Sequence, residues 1–187
     1  MKFAGLLLKD NIDEDSVLAI ADSEETSIWN LSTNDEIIEK IKEEEVDILA
    51  ADVGMEQGRD DLTKKEQKLE DEGYNFVPSG HQVKKMKRLE SLSAHLEHAM
   101  GVDAPEIIRF NPHITSEELA IHGDQALESL GFDTSPLSNS HEFDALLGAV
   151  TGRYYEQGAF RDMGVIIPGE EEEAEEQDDE VPKDPRE

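Results

Sequence analysis

Three apolar runs, Lys2–Leu8 (KFAGLLL), Val17–Ala21 (VLAIA) and Ser27–Leu31 (SIWNL), stand close together with only polar turns between them. The segments Asp10–Asp15 and Ser23–Glu25 are too short to hold a crossover helix. A parallel return between strands needs a connection of a dozen or more residues, so strands joined this directly pair antiparallel. The chain is therefore expected to begin as a three-stranded meander.

The pattern then changes to alternation of helix and strand. Thr33 and Glu36 stand as T-x-x-E, a capping box, ahead of a helix running to about Glu45 with Ile37, Ile38 and Ile41 on one face. Val46–Val53 (VDILAADV) follows as a strand reached through a helix, and so parallel to the strand it joins. Asp61–Glu72 reads as a charged helix and Tyr74–Pro78 as an extended stretch. Gln82–Met100 carries the clearest helical stripe: Val83, Met86, Leu89, Leu92, Leu96 and Met100 recur at three- and four-residue steps. Glu106–Asn111 reads as a strand ended by Pro112, and Ser116–Ile121 and Asp124–Leu130 as short helices. Ser140 is placed to cap a last helix over His141–Tyr155, and Val165–Pro168 closes as a short strand. This order, βββ-α-β-α-β-α, predicts an α/β fold with a mixed sheet and helices on its faces.

Charge sets the surface. The chain holds 46 acidic and 17 basic residues, a net of −29. Gly169–Glu187 carries 11 of the acids and 2 of the bases, yet the rest still carries −20. Such self-repulsion is tolerated where salt screens it, which points to a high-salt cytoplasm. From Gly169 the composition is mainly Glu, Asp and Pro, which cannot build a core, so residues 169–187 are expected to be a disordered acidic tail behind one domain at 1–168. No apolar run approaches the roughly 18 residues of a membrane span, and Met1–Asp10 lacks a signal-peptide cleavage pattern. The absence of Cys excludes disulfides, thiol nucleophiles and thiolate metal sites. There is no Walker loop, GxSxG or HExxH.

The candidate chemistry rests on carboxylates. Asp52 ends an apolar strand, where a carboxylate must be paired, hydrogen-bonded or bound to a cation. Asp144, Gly148 and Gly152 recur every fourth residue on the last helix, and a strip of small residues lets a helix approach a sheet closely. That spacing turns Asp144 inward toward Asp52, with Glu142 beside it. Two inward carboxylates can hold Mg²⁺ or Mn²⁺, which prefer oxygen ligands. Glu142 also has a simpler reading, since acids in a first turn are favoured by the helix dipole. His95 and His98 read as surface residues, and His113 and His141 as loop or cap residues. Seven basic residues cluster in two stretches: Lys64, Lys65 and Lys68, then Lys84, Lys85, Lys87 and Arg88. They serve either as phosphate contacts or as helical pairs with Glu66, Glu70 and Glu90.

The stretches AADVGM (Ala50–Met55), IIRFNPHITSEELAI (Ile107–Ile121), HEFDALLGAVTGRYYEQGAF (His141–Phe160) and GVIIPG (Gly164–Gly169) together resemble the domain of unknown function 429 family, predicted nucleases of the ribonuclease H-like superfamily. The resemblance implies a three-layer ribonuclease H-like fold, a mixed sheet of about five strands with helices on both faces. It also implies a metal-dependent nuclease acting on nucleic-acid phosphodiesters, with Asp52, Asp144 and Glu142 as catalytic residues. Asp52 and Asp144, with Asp10 as the nearest carboxylate on the first strand's side, would hold Mg²⁺ or Mn²⁺; the clustered Lys84, Lys85, Lys87 and Arg88, and Arg109 as a phosphate contact, are the candidates toward nucleic acid. Three positions depart from the family pattern: Leu7 and Arg109 stand where acids are usual, and the strand ends Asp-Val-Gly rather than Asp-Ala-Pro. These departures motivate the alternative of a degenerate domain that binds nucleic acid or protein without cutting.

Overall fold

The computed structural model describes residues 1–11, 14–53, 62–78 and 82–169. The meander forms as expected: β1 (Phe3–Leu7), β2 (Ser16–Ala21) and β3 (Thr26–Leu31) pair antiparallel in turn. The helix α1 (Asn34–Glu44) carries the chain across to β4 (Ile48–Asp52), which pairs parallel with β1. The capping box is made on both sides, with Glu36 N donating to Thr33 Oγ1 (3.2 Å) and Thr33 N donating to a Glu36 carboxylate oxygen (3.0 Å).

The helices α2 (Lys64–Asp71) and α3 (Val83–Met100) lead to β5 (Glu106–Phe110), parallel to β4. The five strands lie in the order β3-β2-β1-β4-β5. Two connections run differently from expectation. The helix α4 (Pro112–Glu118) starts at Pro112, four residues earlier than Ser116, because Asn111 caps it and proline is suited to a first helical position. The last helix, α6 (Ser140–Glu156), is capped by Asn139, whose side-chain oxygen accepts from Glu142 N; Ser140 is already helical. Between α4 and α6 lies α5 (Asp124–Ser129), and after α6 the short strands β6 (Phe160–Asp162) and β7 (Ile166–Pro168) form a separate antiparallel pair. Of the expected tail only Gly169 falls within the described residues.

The sheet separates two cores. On one face Leu6, Leu18, Leu49 and Ala51 meet Ile37 and Ile41 of α1 and Met86, Leu89, Leu92 and Leu96 of α3. Each of these leucines, isoleucines and the methionine contributes about 1.5–3 kcal/mol by leaving water. On the other face Leu7, Ala50, Ile108 and Phe110 pack on Ala145, Leu146, Ala149 and Val150 of α6. Helices on both faces make the three layers. The small-residue strip sits on the sheet as its spacing predicts: Gly148 of α6 meets Gly5 of β1 so closely that a Cβ on Gly148 would lie 2.6 Å from Gly5 Cα.

Candidate functional site

A cleft of about 700 Å³ opens at the carboxyl ends of the parallel strands, the usual ligand position on an open α/β sheet. Its walls come from several elements. Leu7 to Asp10 leave the end of β1, Asp52 ends β4, and Asn111 to His113 bridge β5 and α4. Val83, Lys84 and Lys85 begin α3, His141 and Asp144 lie in the first turns of α6, and Asn75, Phe76 and Val77 form an outer lip.

Strand alternation explains why Asp52 reaches this side. Ile48 and Ala50 belong to the core beneath α6, so Asp52, two residues further on, shares their face. Asp144 lies one helical turn before Gly148, where the glycine contact presses α6 onto β1. Burial raises the Asp144 carboxyl above the ordinary aspartate range; His113 and His141 pull it down, and the Asp52 charge pushes it up. The two aspartates therefore sense one another across the cleft. Asp52 is also paired: Lys85 Nζ lies 3.4 Å from its Oδ2.

The structure sorts the remaining candidates. Asp10 is exposed and lines the cleft. Glu142 does not; it is buried and accepts from Ser138 N (2.6 Å) and Ser138 Oγ (2.8 Å), closing the start of α6. Its role as a catalytic carboxylate is corrected to a structural cap. Those Ser138 donors hold its carboxyl below the ordinary glutamate value of 4.5. A depressed carboxylate stabilises the fold above its ordinary pKa and loses that contribution as pH falls through the lower folded value. Wild-type protein is thus expected to melt above Glu142→Gln at neutral pH. The gap should close below about pH 4 in a series of thermal melts; a pH-independent gap would show that the carboxylate charge is not what stabilises the cap.

Arg88 likewise leaves the nucleic-acid set. It is buried, and its guanidinium donates to Lys9 O (2.7 Å), Asn34 Oδ1 (2.8 Å), Ser32 O (2.9 Å) and Ser16 Oγ (3.4 Å). Arg109 lies on β5 beside Ala51, on the strand face shared with Ile107 and away from Asp52, and does not line the cleft. Lys87 is exposed on α3 outside the cleft, whereas Lys84 and Lys85 line it. On α2, Lys68 pairs with Glu72 (3.9 Å), and Glu66 serves instead in a capping box with Thr63. His95 and His98 are exposed as expected. His113 and His141, read from the sequence as loop or cap residues, both stand in the cleft wall. The Asn-Pro helix start that aims His113 there was the available signal, and it reads equally well as a strand terminator.

The donor set decides what cation the cleft suits. Among the described residues no three Asp, Glu or His side chains are grouped to hold a metal ion. On the β1 side the residue after the last registered pair, Leu6 with Ala51, is Leu7, an apolar side chain that lines the cleft together with Asp52 and supplies no third carboxylate. Magnesium needs only one or two carboxylates when water and substrate phosphates complete its shell. Asp52 and Asp144 by themselves fall short of the ligands a two-ion site needs.

No protein-family profile matches this sequence, and no curated protein matches it. Solved structures do. A structure of Thermus thermophilus RuvC in complex with Holliday junction substrate superposes with a TM-score of 0.52 at 14% identity, covering 90% of this chain and 99% of that one. A second Thermus thermophilus RuvC structure gives 0.51 at 13% identity over the same shares. At this identity the likeness speaks to the fold, and with the three layers and the mixed five-stranded sheet it establishes that this chain has a ribonuclease H-like fold.

Proposed function

We propose that this chain is a nuclease that hydrolyses nucleic-acid phosphodiester bonds in a high-salt cytoplasm, with Mg²⁺ or Mn²⁺ held between Asp52 and Asp144. One observation carries the reading: two carboxylates from separate elements, β4 and α6, line one cleft at the carboxyl ends of the parallel strands. The similar RuvC structure was solved with a nucleic-acid junction, which agrees with a nucleic-acid substrate. The short motifs shared with the domain of unknown function 429 family point the same way. No described helix is long and apolar enough to cross a membrane.

When bound, the metal ion would polarise the phosphodiester and activate the attacking water. The chain's own groups do the rest. Asp144, whose negative charge is disfavoured by burial and by Asp52, is relieved by a cation and so favours its binding. His113 and His141 stand in the same cleft wall as Asp144 and place two imidazoles beside the substrate. Lys84 and Lys85 offset the substrate's charge.

The test is cleavage of single- and double-stranded substrates at high salt with Mn²⁺, comparing wild type with Asp52→Asn and Asp144→Asn. Loss of even an outer-shell partner typically costs 10–100-fold, so loss of either carboxylate is expected to lower the rate by about a hundredfold or more. Unchanged activity in both variants would sink this site. Asp144→Asn should also raise the melting temperature in EDTA, because it removes a half-buried charge whose ionised form the fold disfavours.

A second reading has specific support. Leu7 leaves the ligand set short, and Lys85 already neutralises Asp52. A cleft so built can bind nucleic acid without cutting it. Tight binding by a wild-type protein that shows no Mg²⁺- or Mn²⁺-dependent turnover would select this reading.

A further inference from the structure

The whole chain has nearly three acids for every base, yet the cleft is lined by three lysines, Lys9, Lys84 and Lys85, against three aspartates. In this cleft the general acidity is locally cancelled, which lowers the repulsion a polyanion meets. The lysines come from the end of β1 and the first turn of α3, a turn that holds no acidic residue. Facing them is the lip Asn75–Val77. Val77 is 55% exposed, one of three large apolar side chains so placed among the described residues. Phe76 lines the cleft while its ring also packs against the small core of Leu69, Ile114, Val165 and Ile167. The lip is tied to the start of α3 by Gln82, whose side-chain amide donates to Val77 O at 2.9 Å. An apolar, aromatic surface is thereby held next to two lysines.

We propose that this cleft takes single-stranded nucleic acid, with a backbone phosphate at Lys85 and an unpaired base against Phe76 and Val77. Cationic groups tracking the backbone, combined with an aromatic platform for bases, is how sequence-tolerant single-strand sites are built. A base inside a duplex is stacked on its neighbours and presents no free face to such a lip. The proposal rests on the nucleic-acid part of the reading above and is independent of hydrolysis.

Binding is measured by fluorescence anisotropy in EDTA, so that no cleavage or bound metal contributes. The probes are oligothymidylate, oligouridylate and a blunt DNA duplex of equal length, each across a salt series. The expected result is tighter binding of one or both single strands, by about tenfold over the duplex. Lys85→Gln retains a donor for Asp52 but removes the cation; it should weaken single-strand binding and flatten the log–log salt slope by roughly 0.7, the value for one phosphate contact on a single strand. Phe76→Leu keeps the apolar packing and loses the ring, and should weaken binding about fivefold or more without changing the slope. Val77→Ser, at an exposed position, is the check should Phe76→Leu unfold, and should weaken binding about threefold. Equal or tighter duplex binding, an unchanged slope in Lys85→Gln, or lip variants that bind like wild type would each overturn the proposal. An inactive enzyme that still shows these binding effects would leave it standing while refuting hydrolysis.

Discussion

Gly5→Ala is expected to abolish the native fold. A Cβ on Gly5 would lie 1.8 Å from the carbonyl oxygen of Ala145 and 2.7 Å from Gly148 Cα, and all of those neighbours are backbone. No side chain can rotate away, so α6 would have to lift off the central strand of the sheet. That contact holds the core formed by Leu7, Ala50, Leu146, Ala149 and Val150. Total stabilities are about 5–15 kcal/mol, and displacing this helix should exceed the roughly 4–5 kcal/mol that marks an exceptional substitution. Circular dichroism and urea titration at high salt would show loss of the cooperative transition. A variant melting within a few degrees of wild type would refute the close approach. Gly152→Ala is the matched control on the same helix face. Its Cβ would meet Ile48 Cγ2 at 3.3 Å, a side-chain tip that can shift, and alanine gains about 1 kcal/mol of helix propensity. The net change should stay within about 1 kcal/mol of zero.

Arg88→Met is expected to destabilise the protein by about 3–5 kcal/mol. The guanidinium joins four acceptors from separate places: Lys9 O after β1, Ser16 Oγ at the start of β2, Ser32 O after β3 and Asn34 Oδ1 at the start of α1. Methionine fills much of the volume but takes the guanidinium donors away from Lys9 O, Ser32 O and Asn34 Oδ1, all part-buried. Burial disfavours the charged form and lowers the arginine pKa, yet the group stays protonated because its ordinary value is so high. Arg88→Lys should recover little, since one ammonium cannot reproduce a planar fork of donors. The midpoint and slope of urea unfolding test both variants. A loss below about 1 kcal/mol for Arg88→Met would show that the network contributes little beyond packing.

Arg88 also illustrates where linear reading fails. Beside Lys84, Lys85 and Lys87 it looks like one more member of a basic patch. The helical rotation that puts Met86, Leu89 and Leu92 into the core puts Arg88 at the core's edge, while Lys87 points to solvent. Glu142 is a parallel case. It stands only two residues from Asp144 but in the first turn of α6, and Ser138 and Asn139 engage it as part of the cap. The stripe of α3 and the capping box of α1 were legible because helix formation depends on neighbours three and four residues away. The small-residue strip on α6 was legible for the same reason. Its partner Gly5 was not, since nothing near Gly5 in the chain announces a helix that arrives some 140 positions later.

Local chemistry was thus enough to set the meander, the helix–strand alternation, the inward side of α6 and the strand-end position of Asp52. Those features depend on turn length, periodicity and strand alternation, all of which act over a few residues. Parallel pairing of β1 with β4, and of β4 with β5, brought Leu7, Asp52 and Asn111 to one edge, and only that long-range register made a shared cleft of them. The same assembly set Lys85 against Asp52, admitted His113 and His141, and turned Glu142, Arg88 and Arg109 away. A side chain's type is written in the chain, but its direction and its neighbours follow from which surfaces pack, and packing is settled by contacts between residues far apart in sequence.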